Sequence, residues 1–361
     1  MKTDTDVLVI GAGQSGLALS RELATRGVEH RVLEAHAAPG DVWRQRWDSL
    51  RLFTPVRFNG LPGMRLPGPQ RYCPTAGEFA NYLDDYADHF AVPLNCGETA
   101  VRISTSPDAG FTVTTKTSAG ERVRGARKVV VATGGHTAPA IPSEASTLDD
   151  QIAQLHTNKY RRPEDLPGKR VLIVGCGASG VQLGVELAKA GREVTVAGRP
   201  TPSIPAPLLA AAGPVWFSFI HRVLTRATPI GRKAAPKVVS SGSPLIGISV
   251  RDLDRHNVHR GPRFTGTVNG LPQLADGKIV EVDAVLWATG YRPGLDWIDD
   301  LSLDAHGLPV HDRGISGSIP GLAFMGLPFQ FGLTSTLIAG AGRDAAFLAA
   351  QLASESLSPD A

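Results

Sequence analysis

The sequence predicts an α/β fold that carries two Rossmann-like dinucleotide-binding units. Three observations lead there. A Gly-x-Gly-x-x-Gly loop lies between a strand and a helix at residues 11–16. The same arrangement returns at residues 175–180. Two further apolar strands both end in Ala-Thr-Gly, at Gly134 and Gly290. One glycine loop is a moderate signal; two copies in strand–loop–helix context form an internal repeat and point to two bound dinucleotides.

Residues 6–10 read as a short buried strand, and residues 17–23 take helical spacing. Between them, Gly11 makes the tight turn, Gly13 lets the backbone approach a pyrophosphate, and Gly16 lets helix and strand pack closely. Gln14 and Ser15 complete the loop. The N–H groups and dipole at the helix N-terminus favour phosphate there. The next strand, 31–33, ends in Glu34. An acid about 20 residues past the glycines grips a ribose hydroxyl and repels a 2′-phosphate, so this site takes the adenosine half of FAD or NAD.

Residues 38–43 form a turn that ends on Trp43, and residues 46–55 mix large apolar groups with arginines. Pro62, Gly63, Pro67, Gly68 and Pro69 mark an irregular loop. Residues 75–90 return to a helix, with Thr75 as its cap, Glu78 three positions on, and Phe79, Tyr82, Leu83 and Tyr86 on one face. Strands are expected within 101–115, turning near 107–110, and over 127–133, which leads into Thr133 and Gly134. A linker rich in Pro, Ser and Asp covers 136–167. His136 within it reads as structural rather than catalytic.

The second unit opens with a strand at 169–174, then Gly175, Gly177, Ala178, Ser179 and Gly180, a helix to about Ala190 and a strand at 193–197. Twenty-three positions after Gly175 stands Gly198, where the first unit has Glu34 after the same interval, and Arg199 follows it. The missing acid and added cation favour NADPH over NADH, with NADH still possible. Residues 215–224 are apolar and helical and read as core packing or a lid rather than a membrane contact. Strands and turns are expected over 261–277, and a buried strand over 282–289 leads into Thr289 and Gly290. The chain closes with a strand at 321–326, a loop at 327–334 and an amphipathic helix at 339–352.

The chain has 361 residues and a formal charge of +3, with no Lys/Arg block, which gives no case for a nucleic-acid partner. Its three cysteines, Cys73, Cys96 and Cys176, form no Cys-x-x-Cys pair. That removes a redox-active dithiol and fits a reducing compartment. No signal-peptide pattern precedes the first strand, and the longest apolar run, 207–220, is too short to span a bilayer. A cytoplasmic location without a membrane partner is the expectation. Apolar residues around Trp216 offer a contact for a homodimer.

Taken together and in order, these segments resemble the flavin-containing monooxygenase family, most closely its small bacterial members. The carriers are the first loop with Glu34, Gly40-Asp41-Val42-Trp43, and Arg46-Trp47-Asp48-Ser49-Leu50-Arg51-Leu52. The second loop, both Ala-Thr-Gly ends and the final Leu-Pro-Phe-Gln-Phe-Gly-Leu-Thr-Ser complete them. The resemblance covers nearly the whole chain. It implies FAD at the first loop and NADPH at the second, with the NAD(P)H domain (166–280) inserted into a discontinuous FAD domain (1–165 and 281–361). It implies that Val42 and Trp43 lie along the FAD, His36 near its adenosine end, and Gln330 and Leu333 close to the flavin. The implied activity is an NAD(P)H-consuming monooxygenation, in which one atom of O2 passes through a flavin C4a-hydroperoxide to a small sulfide or amine. No metal is required.

Two departures qualify the resemblance. The family pattern Phe-x-Gly-x-x-x-His-[Ser/Thr]-x-x-[aromatic] is half present: His156, Thr157 and Tyr160 match, whereas Asp150 and Ile152 replace Phe and Gly. Tyr160 also stands where a Baeyer–Villiger enzyme carries Trp. Near the flavin, Thr54 takes the place of the family's Asn, exchanging an amide fork for one hydroxyl. An NAD(P)H oxidase or reductase without substrate oxygenation is the first alternative, and a non-enzymatic FAD or nucleotide redox sensor the second.

Overall fold

A computed structural model of the chain describes residues 3–108, 110–135, 137–204, 206–240 and 244–354. His136 lies outside the described residues. In chain order the first unit begins with β1 (Thr5–Ile10), α1 (Gln14–Thr25), β2 (His30–Leu33), α2 (Asp41–Arg44) and α3 (Ala76–His89). It continues with β3 (Leu94–Asn95), β4 (Thr99–Ser106), β5 (Gly110–Thr117) and β6 (Gly120–Val131). Short β7 (Ala138–Pro139) and β8 (Ala153–His156) come next. Then follow β9 (Arg170–Val174), α4 (Ala178–Lys189), β10 (Glu193–Ala197), β11 (Ser203–Ile204), α5 (Ala206–Arg222), α6 (Pro229–Ser240), β12 (Leu245–Ile246) and α7 (Val250–Arg255). The strands β13 (His259–Gly261), β14 (Phe264–Val268), β15 (Leu271–Leu274), β16 (Ala284–Trp287) and β17 (Tyr291–Arg292) lead into β18 (His311–Asp312), β19 (Ile315–Ser316), β20 (Leu322–Phe324) and the closing α8 (Ile338–Ser354).

Two sheets organise these elements. The first runs β18-β19-β20-β6-β1-β2-β3, with β4 and β5 attached through the β5–β6 hairpin. Its core from β20 to β3 is parallel. The second, β13-β10-β9-β16-β8, is parallel throughout. The two repeat one plan. β1 lies between β2 and β6, and β9 lies between β10 and β16. The strands β6 and β16 that flank the central ones are those that run into Ala-Thr-Gly. Central strands of parallel sheets are covered on both faces, which is why β1 and β9 are almost wholly apolar and buried.

The helices cover the first sheet through α1, α3 and α8. Leu17, Leu19 and Leu23 of α1 meet Phe79, Leu83 and Tyr86 of α3 and Ala341, Ala345 and Leu348 of α8 in one buried cluster. The predicted cap of α3 is present as a capping box: the Glu78 N–H donates to Thr75 Oγ1 at 3.1 Å, and the Thr75 N–H donates to Glu78 Oε2 at 2.7 Å. The second sheet packs Leu183 and Leu187 of α4 against Val171, Ile173 and Val196.

Three expectations change. The stretch 136–167 is not a plain linker, because β8 within it forms the edge of the second sheet against β16. The second sheet therefore spans Ala153 to Trp287, beyond both ends of 166–280. Periodicity missed β8 because only four residues form it, and its pattern is mixed rather than apolar. Finally, β6 begins at Gly120 rather than near Arg127. Its first half is an exposed hairpin arm with β5, and only its second half is a buried parallel strand. Among the described residues, no helix is long and apolar enough to cross a membrane.

Candidate functional site

The first glycine loop is shaped by backbone contacts. Gly11 has φ +106°, and a Cβ there would lie 2.9 Å from the Ala132 carbonyl oxygen. A Cβ on Gly16 would lie 1.9 Å from the Gly11 oxygen, so α1 can approach β1 only with glycine there. Gly13 differs. It is the N-cap of α1, has ordinary extended angles, and a Cβ on it would meet nothing within 4 Å. No side chain caps α1, which leaves the N–H groups of its first turn facing that open space.

Glu34 is buried at the end of β2. Its Oε2 accepts from the Ala12 N–H at 2.9 Å, and its Oε1 accepts from the His36 N–H at 2.9 Å. The His36 ring Nδ1 is 2.7 Å from that same Oε1. His36 is thus the partner that orients Glu34. Helix α2 places half-buried Val42 and Trp43 beside the loop, and the Trp43 Nε1–H donates to Gln14 Oε1 at 3.4 Å. The Trp43 ring meets Phe79 edge-on at 5.0 Å. Gly40 fixes α2 against α3, since a Cβ there would stand 2.3 Å from the Ala80 oxygen. Buried Ser15 faces the returning chain: a Cβ on Gly326 would lie 2.9 Å from its Oγ and 3.8 Å from Gly134 Cα. Thr133 and Gly134 are half-buried, and Gly134 (φ +74°) has open space at its Cβ position. The first loop, the end of β6 and the end of β20 therefore converge on one crevice.

The second loop repeats this geometry. A Cβ on Gly175 (φ +113°) would lie 2.3 Å from the Ala288 oxygen, and one on Gly180 would lie 1.9 Å from the Gly175 oxygen. Gly177 again meets nothing within 4 Å, and Ala178 and Ser179 open the uncapped α4. Thr289 Oγ1 is buried without a hydrogen-bond partner among the described residues. Gly290 (φ +86°) has open space beside it. Arg199 is exposed. Cys176 in this loop is buried, and burial pushes its thiol up, away from the reactive thiolate form.

Between the loops, the expected flavin neighbours have protein partners. The Thr54 hydroxyl donates its one proton to Asn59 Oδ1 at 2.5 Å, and Asn59 Nδ2 donates back to the Thr54 carbonyl at 2.7 Å, both side chains buried. Thr54 thus has only lone pairs left to offer elsewhere. Gln330 is fully buried; its Oε1 accepts from the Leu327 N–H and its Nε2 donates to the Arg313 carbonyl, each at 3.3 Å. Leu333 is half-buried, and its N–H donates to the Leu224 carbonyl at 2.9 Å, tying this loop to the end of α5. Arg343 strengthens that tie, with 2.6 Å to the His221 carbonyl and 3.2 Å to Thr334 Oγ1.

His156, Thr157 and Tyr160 lie where the two sheets meet. His156 Nε2 is 3.0 Å from the Gly290 carbonyl, and Nδ1 is 3.2 Å from the Asn158 N–H. Nδ1 also lies 3.1 Å from Asn158 Oδ1, and burial lowers the ring's pKa. Tyr291 meets the imidazole edge-on at 5.0 Å and accepts from Arg46 Nη1 at 3.0 Å. The buried Thr157 N–H donates to the Trp287 carbonyl. The Tyr160 hydroxyl donates to Glu186 Oε1 at 2.9 Å, and Ser49 bonds the other oxygen of the same carboxylate. Asp48 pairs with Arg161 at 2.9 Å and Arg162 at 3.2 Å. Sequence reasoning missed Asn59, Glu186 and Arg343. Asn59-Gly60 reads as a turn, and the other two sit on helices as ordinary polar residues.

A family model described as pyridine nucleotide-disulphide oxidoreductase matches residues 8–206. A protein of Geobacillus kaustophilus, named an uncharacterized CzcO-like oxidoreductase, is 36% identical over 351 residues, covering 96% of this chain and 98% of the relative. An indole-3-pyruvate monooxygenase of Oryza sativa, YUCCA1, is 29% identical over 81% of this chain and 78% of its own length. Among solved structures, a flavin-containing monooxygenase from Stenotrophomonas maltophilia superposes with a TM-score of 0.75 at 26% identity, covering 98% of this chain and all of that one.

Proposed function

The chain belongs to the pyridine nucleotide-disulphide oxidoreductase family and is an oxidoreductase related to flavin monooxygenases; from that premise we propose an FAD-dependent, NAD(P)H-consuming monooxygenase acting on a small sulfide or amine. The carrying observation is the pair of matched glycine loops that differ at one chemical point, Glu34 in the first and Arg199 in the second. Both sites fit a dinucleotide. Gly13 and Gly177 leave room that a side chain would fill, and Thr289 Oγ1 has no hydrogen-bond partner among the described residues.

In this reading Gly11, Gly13, Gln14, Ser15 and Gly16 hold the FAD pyrophosphate at the start of α1. Glu34, oriented by His36, accepts from a ribose hydroxyl. Val42, Trp43, Thr133 and Gly134 line the flavin's path, and Gln330 and Leu333 shape the loop beyond it. Gly175, Gly177, Ala178, Ser179 and Gly180 would hold the pyrophosphate of NADPH, Arg199 would pair with its 2′-phosphate, and Thr289 and Gly290 would line the same crevice. The NADPH unit runs from Ala153 to Trp287, inserted into the FAD unit. Bound FAD, reduced by NAD(P)H, supplies the activation of O2. The Arg46–Tyr291–His156 contact lies between the two cofactor sites.

A second reading, NAD(P)H oxidase, is favoured by the Thr54–Asn59 pair, in which the Thr54 hydroxyl already donates its one proton to Asn59 Oδ1. One measurement separates the readings: O2-dependent NADPH consumption across a panel of sulfides and amines, with product and hydrogen peroxide quantified together. Product formation that displaces peroxide supports the monooxygenase. Peroxide equal to NADPH consumed with every compound leaves the oxidase. Protein that contains no flavin and cannot be reconstituted with FAD rejects both.

A further inference from the structure

From Arg199 to Arg251 the chain holds seven of its 37 basic residues and none of its 34 acidic ones. Helices α5 and α6 lie within this stretch, and each presents two different faces. On α5, Gly213, Phe217 and Ile220 are buried, and Phe217 packs on Phe58 with ring centroids 4.4 Å apart. That spacing is one helical stripe, and it joins α5 to the first unit. The opposite stripe is Val215, Phe219 and Arg222, with Val215 73% and Phe219 41% exposed. A shallow open depression there is lined by Val215, Ser218, Phe219, Arg222 and Val223. On α6, Gly231 and Ala235 are buried while Ile230, Lys233 and Lys237 form an outer stripe, with Ile230 59% exposed.

Folding has thus satisfied one face of each helix and left large apolar side chains on the other, set among cations. Arg222 donates only to Ser218 Oγ, and Lys233 has no carboxylate partner among the described residues. Apolar side chains interleaved with Lys and Arg, on short helices lying along a surface, are the chemistry of an anionic interface. A scattered exposed leucine needs no explanation, but two such stripes within one acid-free segment do.

We propose that the outer face of α5 and α6 is a peripheral docking surface for anionic lipid bilayers. Val215, Phe219 and Ile230 enter the headgroup layer, and Arg222 and Lys233 face lipid phosphates. No segment crosses the bilayer, and the two cofactor sites lie on other elements. Such docking concentrates the enzyme where apolar substrates partition.

The test is co-sedimentation of the flavin-loaded protein with vesicles of phosphatidylcholine alone or mixed with phosphatidylglycerol. Binding is expected with the mixed vesicles, weakened by salt, and absent with the neutral ones. Each cation removed is expected to weaken it about fivefold, so Arg222→Glu with Lys233→Glu loses at least about twentyfold. Val215→Ser with Phe219→Ser also weakens binding while far-UV circular dichroism and flavin content stay as in the parent. No binding to mixed vesicles, equal binding to neutral ones, or an unaffected charge-reversed variant overturns the proposal. Capture of the protein by polyglutamate without vesicle binding assigns the face to an acidic polypeptide instead, and overturns it equally.

Discussion

Replacing Gly13 by alanine separates ligand binding from folding at the first loop. Gly13 has φ −70° and ψ −175°, which alanine adopts without strain, and its new Cβ would meet nothing within 4 Å of protein. At such a position Gly→Ala stabilises by about 0.4–1 kcal/mol through loss of unfolded-chain entropy. The flavin-free protein should therefore melt no lower than the parent and up to roughly 4 °C higher. The methyl group would occupy the space through which a pyrophosphate reaches the first-turn N–H groups of α1. Losing one hydrogen bond to a charged group costs about 1.5–3 kcal/mol, so FAD affinity should fall roughly 10- to 150-fold. Gly16→Ala is the contrast, because its Cβ would sit 1.9 Å from the Gly11 oxygen. It should lower stability with or without flavin, since β1 and α1 must separate by about 1 Å or more to restore van der Waals distance. The assay pairs thermal unfolding of the flavin-free proteins with FAD titration by fluorescence quenching. Unchanged FAD affinity in Gly13→Ala would refute the placement of a pyrophosphate over this residue.

Arg199→Ala should lower the ratio of kcat/KM for NADPH over NADH by about tenfold or more, the loss of one charge-assisted pair; an unchanged ratio removes Arg199 from the 2′-phosphate site. Thr75→Ala removes the capping box of α3 and should cost about 1 kcal/mol in urea unfolding, with an unchanged m-value. The His311 imidazole is pushed down to about 4, by burial first and then by the nearby Arg226 charge, and its Nδ1 accepts from the Gly314 N–H at 3.2 Å. Its folded pKa lies below the unfolded value of about 6.5, so the native state resists the proton. Stability should be full above about pH 6.5 and fall as pH drops toward 4, and His311→Gln should flatten that slope in pH-dependent thermal melts.

The parts of the fold that were legible in the sequence are those where chemistry limits the residue choice. The glycines of both loops, Glu34 and the Thr75–Glu78 cap are set by backbone geometry or hydrogen bonding within a few residues. They stand in the structure where the sequence places them. What escaped was set by partners far along the chain. β8 is a strand only because β16, about 130 residues later, offers it an edge. The outer half of β6 is held by β5 and carries exposed Glu121, Arg122 and Val123, so no apolar run announces it. Thr54 looked like a lone hydroxyl because its partner Asn59 lies in a segment that reads as a turn. Glu186 could not be recognised as a joint, since Tyr160 and Ser49 reach it from two separate stretches.

The chain leaves the first sheet for the second through β7 and comes back through β17, and these two passages are hydrogen-bonded to each other as antiparallel neighbours, Tyr291 opposite Pro139 and Arg292 opposite Ala138. The Gly290 carbonyl accepts from the Ala140 N–H as well as from His156, which fastens the pair to the edge strand β8. Outgoing and returning backbone therefore act as one strap rather than two independent tethers. A two-stranded strap bends easily across its face but resists shearing, because sliding one passage past the other breaks its bonds. Whatever change of angle the two nucleotide crevices undergo must flex this strap. Tyr291 sits on it, with Arg46 and His156 against its side chain, so these three register the angle.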